Sequence, residues 1–271
     1  MAAPAGNKRI MALDPGFKNG VKIAVIDEHG SFLKDAIIYP HPPQNKTTQS
    51  EQTLLSLINN YKVNLIALGN GTASRETDKL VSSLIKKEKL NIICVTVSES
   101  GASIYSASEL ASKEFPNLDV TIRGAISIAR RLQDPLSELI KIDPESIGVG
   151  QYQHDIKPSR LKEALNIVIE DCVNKVGVDL NAASASLLEH VSGLSQSLAN
   201  NIIVHRQQNG PFSNRNELKQ VKGIGNKCFE HCAGFLRIQS SQHPLDASGV
   251  HPESYAHVQE MAAAIKQSIP S

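Results

Sequence analysis

Three acids stand where a sheet edge could gather them. Asp14 ends the apolar stretch Ile10 to Leu13 and runs straight into the turn Pro15-Gly16. Glu99 follows the apolar run Ile92-Ile93-Cys94-Val95-Thr96-Val97, and Asp134 sits where a helical pattern breaks before Pro135. Carboxylates clustered in this way can hold two Mg²⁺ or Mn²⁺ ions, which activate a water and stabilise the leaving oxygen in phosphodiester hydrolysis. Each acid also has a plain local reading. Asp14 can cap the Pro-Gly turn. Glu99 precedes a helix, whose N-terminal end favours negative charge. Asp134 is a good N-cap with proline at the first helical position. A second pattern carries different chemistry. Val221-Lys222-Gly223-Ile224-Gly225-Asn226-Lys227 has the form apolar-x-Gly-apolar-Gly between two helices. Its glycines let the backbone turn tightly and come close to a ligand. The following N–H groups suit a phosphate, and Lys222 and Lys227 add charge without reading bases. A helix C-cap would explain one of those glycines but not the pair. Val191-Ser192-Gly193-Leu194-Ser195 repeats the form with Ser195 in place of the second glycine.

The elements that must position these residues follow from periodicity. Strands are expected over 10–14, from residue 21, and over 32–39, with a loop at the proline-rich residues 40–44. Helical spacing marks 53–61, and Val63 to Leu68 is a buried parallel strand ending in Gly69-Asn70-Gly71. A helix carrying Leu80, Val81, Leu84 and Ile85 precedes the strand at 91–97. Helices are expected over 103–115, 122–133 and 136–140. Three meander strands followed by helix–strand–helix–strand make an α/β layer fold with a mixed sheet. After the glycine-bearing connector Gly148 to Asp155 the pattern turns all-helical. A long helix from Pro158 shows Leu161, Leu165, Val168, Ile169, Cys172, Val173 and Val176 on one stripe. Shorter helices follow at 183–191, 198–207, 216–221, 226–235 and 252–265. The expected domains are residues 8–150, 151–243 and a helical extension 244–271, behind a disordered leader at 1–7.

The bulk composition narrows the function classes. The 271 residues carry a formal net charge of +1, so any basic surface must be local. Residues 180–240 hold six Lys or Arg against three Glu, the mild local excess expected of backbone binding. Arg206, Arg215, Lys219 and Arg237 are further candidates for phosphate contact, with a solvated-face reading equally open. No aromatic series suited to stacking bases occurs. No stretch is long and apolar enough for a transmembrane helix, so no membrane partner is expected. Four scattered cysteines do not form a disulfide framework, which points to an intracellular protein of the nucleus or cytoplasm.

Long strings of this sequence resemble one family. Leu13-Asp14-Pro15-Gly16 with Lys18 and Gly20, Glu99 to Ser108, Ala129 to Leu136 and Gly148 to Asp155 resemble the YqgF-type, RNase H-like domain of the Tex family. Asp179 to Ser184 and Leu245 to Glu253 are similar to Tex proteins as well. The resemblance implies an RNase H-like domain followed by an all-α helix-hairpin-helix domain, and binding of DNA or RNA linked to the transcription machinery. Tex proteins carry further N-terminal helices and a C-terminal S1 domain, so a central fragment is expected. The resemblance favours a binding factor that needs no cofactor over an enzyme. The expected contact residues are Lys222, Gly223, Ile224, Gly225, Asn226 and Lys227, with Gly193 and Ser195. The alternatives are a resolvase-like nuclease using Mg²⁺ or Mn²⁺ on Asp14, Glu99 and Asp134, and a protein-interaction scaffold. A fourth resolvase acid has no clear match, Glu138 being the nearest.

Overall fold

A computed structural model describes residues 4–239 and 241–265. The chain divides into two compact units, residues 1–149 and 150–271. In the first, β1 (Ile10–Asp14), β2 (Val21–Ile26) and β3 (Phe32–Ile38) form an antiparallel meander. α1 (Thr47–Tyr61), β4 (Leu65–Gly69), α2 (Ser74–Lys87) and β5 (Ile93–Val97) follow, and β4 and β5 add in parallel to give the order β3-β2-β1-β4-β5. Then come α3 (Ala102–Ala107), α4 (Glu109–Glu114), α5 (Val120–Gln133) and α6 (Pro135–Leu139).

Both faces of the sheet are covered, as near-continuous apolar strands require. Met11 and Leu13 pack with Val21, Ile23 and Val25 against Leu54, Leu57 and Ile58 of α1 and Val81 and Leu84 of α2. Ile10 and Ala12, pointing the other way, pack against Ile122, Ala125, Ile126, Ala129 and Leu132 of α5. The alternation along β1 therefore sets one core on each side of it.

Several local expectations change. α1 begins at Thr47, six residues before the expected start. The helix expected over 103–115 breaks at Ser108, whose hydroxyl caps α4 by accepting from the Ala111 N–H. Part of the expected leader is docked: the Ala5 and Gly6 N–H groups donate to the Leu132 and Gln133 carbonyls. Residues 1–3 lie outside the described residues.

The second unit opens with α7 (Pro158–Val176), then β6 (Val178–Asp179), α8 (Ala185–Leu188), α9 (Gln196–Asn209), a 3₁₀ turn at Arg215–Gln220, α10 (Asn226–Cys232), β7 (Leu236–Arg237) and α11 (Tyr255–Ala264). The region is not wholly helical, because β6 and β7 pair in parallel and tie Val178 and Asp179 to Leu236 and Arg237. Of the apolar stripe on α7, Val173 is buried while Val168, Cys172 and Val176 are exposed. The end of the expected C-terminal extension, 266–271, lies outside the described residues.

Candidate functional site

The C-terminal edge of the sheet brings two of the three acids together. β1 and β5 run parallel to β4, so Asp14 and Glu99 leave the sheet on the same side. Asp14 is half-buried opposite Lys22. Burial pushes its carboxyl above the usual range, and the Lys22 charge opposes this. Glu99 is pushed up by burial and then by the charge of Asp14, with Arg131 acting the other way. The Glu99 carboxylate lies against bare backbone. A Cβ on Gly71 would come within 1.6 Å of its Oε1, and one on Gly69 within 2.6 Å of its Oε2. Glycine at both positions leaves room for the acid. Arg131 holds the segment in place by donating from Nη1 to the carbonyls of Ser98 (2.9 Å) and Ser100 (2.7 Å), either side of Glu99.

Asp134 does not join them. α5 passes Asp14 at Gly124, where an added Cβ would be 4.0 Å from Asp14 Oδ2. Ten further residues carry the helix about 15 Å along its axis. There Gln133 donates to the carbonyls of Lys8 (2.9 Å) and Asp27 (2.8 Å), at the opposite end of β1. Asp134 caps α6 instead, accepting from the N–H groups of Leu136 (3.1 Å) and Ser137 (3.2 Å). Glu138 is buried in an ion cluster with Lys141 (3.0 Å) and is not a fourth acid of the edge. Among the described residues no group of three or more His, Cys, Asp or Glu side chains is placed to hold a metal ion. α5 turns a glycine, Gly124, towards Asp14 and so adds no carboxylate to the Asp14–Glu99 pair at that point.

The paired acids make the first unit sensitive to pH. Both carboxyls have folded values above their unfolded ones. The stability they contribute is therefore full below the ordinary carboxylate range and is lost as pH rises through the raised folded values. Asp14→Asn is expected to raise the melting temperature of the first unit at pH 7, because the asparagine carries no charge to be desolvated there. The gain should shrink as pH falls towards 4. Thermal melts followed by circular dichroism from pH 4 to 7 check this, and a lower melting temperature at pH 7 would refute it.

The second unit holds the two hairpins as a matched pair. Gly193 and Gly223, 30 positions apart, both have left-handed backbones, with φ of +83° and +91°. Val191 and Val221, Leu194 and Ile224, Ala199 and Phe229, and Ile202 and Cys232 are buried at equivalent places. Each loop rests on the second helix of the other hairpin. The Cys228 thiol of α10 donates to the Gly193 carbonyl (3.2 Å), and Asn201 of α9 donates to the Lys222 carbonyl (2.9 Å). In the second loop Gly223, Gly225, Asn226, Lys222 and Lys227 are exposed, and Ile224 is buried as the anchor. Nothing lies within 4 Å of a Cβ built on Gly225.

The other candidate cations divide. Arg215 is fully buried and bonded to backbone carbonyls, so it holds the unit together and cannot reach a phosphate. Arg206 donates to the carbonyls of Leu180 (3.1 Å) and Ala183 (3.2 Å). Arg237 is packed beside Gly177. Lys219 is exposed, its ammonium 4.4 Å from the Phe229 ring centre. Among the described residues no helix is long and apolar enough to cross a membrane.

A mixed sheet flanked by helices, followed by interlocked helix–loop–helix hairpins, defines the class: an RNase H-like domain of YqgF type joined to helix-hairpin-helix domains. Residues 8–133 match the Tex protein YqgF-like domain, 173–237 a helix-hairpin-helix motif, and 243–271 a further helix-hairpin-helix domain. The chain thus carries a Tex-type YqgF domain followed by helix-hairpin-helix domains. It is 56% identical over 264 residues to the transcriptional accessory protein Tex of Neisseria gonorrhoeae, covering 97% of this chain and 34% of that protein. Protein YhgF of Escherichia coli is 54% identical over 270 residues, covering 99% and 35%. The human S1 RNA-binding domain-containing protein 1 is 46% identical over 241 residues, covering 88% and 24%. The chain thus spans about a third of the length of these bacterial relatives.

Proposed function

We propose that this chain binds nucleic acid by its phosphate backbone, through the helix-hairpin-helix loops, as part of a transcription-associated factor, with the RNase H-like unit as a non-catalytic scaffold. One observation carries the reading: an exposed, positively flanked glycine loop, Lys222 to Lys227, whose backbone a phosphate can approach without meeting a side chain at Gly225. The name of the Neisseria relative supports the link to transcription. Such a contact neutralises charge and releases counterions, so affinity falls steeply with salt.

Lys222→Glu combined with Lys227→Glu is expected to lower affinity for a fluorescent oligonucleotide about 10–100-fold, and to make the salt slope shallower by about 2. Gly225→Val is the companion variant. Gly225 has φ −89°, which any residue can adopt, and open space around it. The valine should leave folding unchanged while standing between backbone and phosphate. Fluorescence anisotropy across a salt series measures both variants. Unchanged affinity in both, with intact melts, would refute the hairpin assignment.

The nuclease reading draws on the Asp14–Glu99 pair. It requires Mg²⁺- or Mn²⁺-dependent cleavage that Asp14→Asn abolishes, and the glycine facing Asp14 weighs against it.

A further inference from the structure

The two hairpins share a backbone and differ in what their loops already hold. The 30-residue offset pairs Ser192 with Lys222, Ser195 with Gly225 and Ser197 with Lys227. Both lysines of the second loop are thus replaced by hydroxyls in the first.

The Ser192 and Ser195 hydroxyls are also engaged by the protein itself. Ser192 Oγ accepts from the side-chain amide of Asn174 at 2.7 Å, and the Ser192 N–H donates back to Asn174 Oδ1 at 3.1 Å. Asn174 belongs to α7, so this pair of hydrogen bonds clips the first loop through both the N–H and the hydroxyl of Ser192, whereas Asn201 of α9 takes only the carbonyl of Lys222. Ser195 then caps α9 by accepting from the Leu198 N–H at 3.4 Å. A phosphate arriving at the first loop would find the Ser192 and Leu198 N–H groups engaged from within and neither of the two lysines. Displacing those partners leaves protein polar groups unpaired, which offsets any gain. In the second loop Gly225 has no side chain with which to cap α10, and Lys222 and Lys227 remain in solvent.

We infer that phosphate contact is confined to the second hairpin, and that the Asn174–Ser192 clip and the Ser195 cap convert the first into a structural mate. The first loop serves to hold α10 through the Cys228 to Gly193 bond. This rests on the backbone-binding reading above.

A matched pair of variants tests it. Gln196→Glu with Ser197→Glu lowers the charge on the exposed face of the first hairpin by two, and Asn226→Glu with Lys227→Gln lowers it by two at the equivalent positions of the second. With the full chain and a fluorescent oligonucleotide near 100 mM salt, the second pair should lose about 10-fold or more in affinity. The first pair should change it by less than about twofold. Melts confirm that both variants fold. Equal losses would overturn the confinement and leave backbone binding standing. Loss only in the first pair would also overturn it. Loss in neither would remove the backbone-binding reading, and this inference with it.

Discussion

Arg215→Met is expected to destabilise residues 150–271 by about 3–5 kcal/mol, the usual penalty for removing one partner of a buried charged network. The guanidinium is 1% exposed. Its Nε donates to the Leu236 carbonyl at 2.6 Å, in β7, and Nη1 donates to the Val250 carbonyl at 2.6 Å and to the Tyr255 hydroxyl at 2.8 Å. Nη2 donates to the Ser248 carbonyl. Tyr255 passes its own proton towards Asp246 Oδ1 at 2.6 Å, and Ser241 donates to Oδ2 at 2.6 Å. One side chain therefore ties the turn before the second hairpin to β7 and to the segment 248–255. Methionine fills the volume but leaves three carbonyls without their donor and the buried Asp246 without its counter-charge. Arg215→Lys should recover little, since one ammonium cannot match a five-donor planar fork. Adding Asp246→Asn to Arg215→Met should cost less than the sum of the single changes, because the two charges are coupled. The chain has no tryptophan, so urea unfolding is best followed by circular dichroism. A loss under about 1 kcal/mol would show that the network does not carry the unit.

Arg215 also shows where reading the sequence stops. An arginine in a polar stretch looks like a solvated cation or a phosphate ligand, and nothing local marks it as buried. Its partners lie 21 to 40 residues further on, in short irregular segments without periodicity. Strands β6 and β7, two residues each, are too short for any alternation to register. The sheet was legible for the opposite reason. Ile10 to Leu13 and Leu65 to Gly69 are apolar runs closed by turn residues, and long runs outweigh local ambiguity. The cap that Asp134 and Pro135 announce is present, but a cap signal gives the end of a helix and not which end of the sheet that helix has reached. Gly124, the residue that faces Asp14, gives no signal as a glycine inside a helix. The hairpins were readable because their form recurs. Their mutual contact was not, since Cys228 and Asn201 look ordinary until the two loops are brought face to face.

Gly193→Val should be the most damaging glycine change in the hairpin pair, at about 2–6 kcal/mol. A left-handed backbone charges a β-branched residue about 1–3 kcal/mol, and overpacking adds a similar amount. The clash decides the ranking. A Cβ on Gly193 would lie 2.7 Å from His231 Cβ, an atom fixed to the α10 backbone, so the helix itself has to move. Gly223 carries the same backbone strain, but its nearest neighbour is Leu198 Cδ2 at 2.8 Å, the tip of a side chain that can swing aside. Gly223→Val should therefore destabilise less, and Gly225→Val hardly at all. Binding should follow a different order. Gly193→Val pushes on α10 and so disturbs the second loop from behind, lowering oligonucleotide affinity even with phosphate contact confined, as inferred above, to the second hairpin. Gly225→Val lowers affinity with the fold intact. Melts and anisotropy on the three variants separate the two effects. If Gly193→Val and Gly225→Val proved equally stable, the loops would not brace one another as the 2.7 Å approach requires. The first hairpin would then have no structural role to set against its missing lysines.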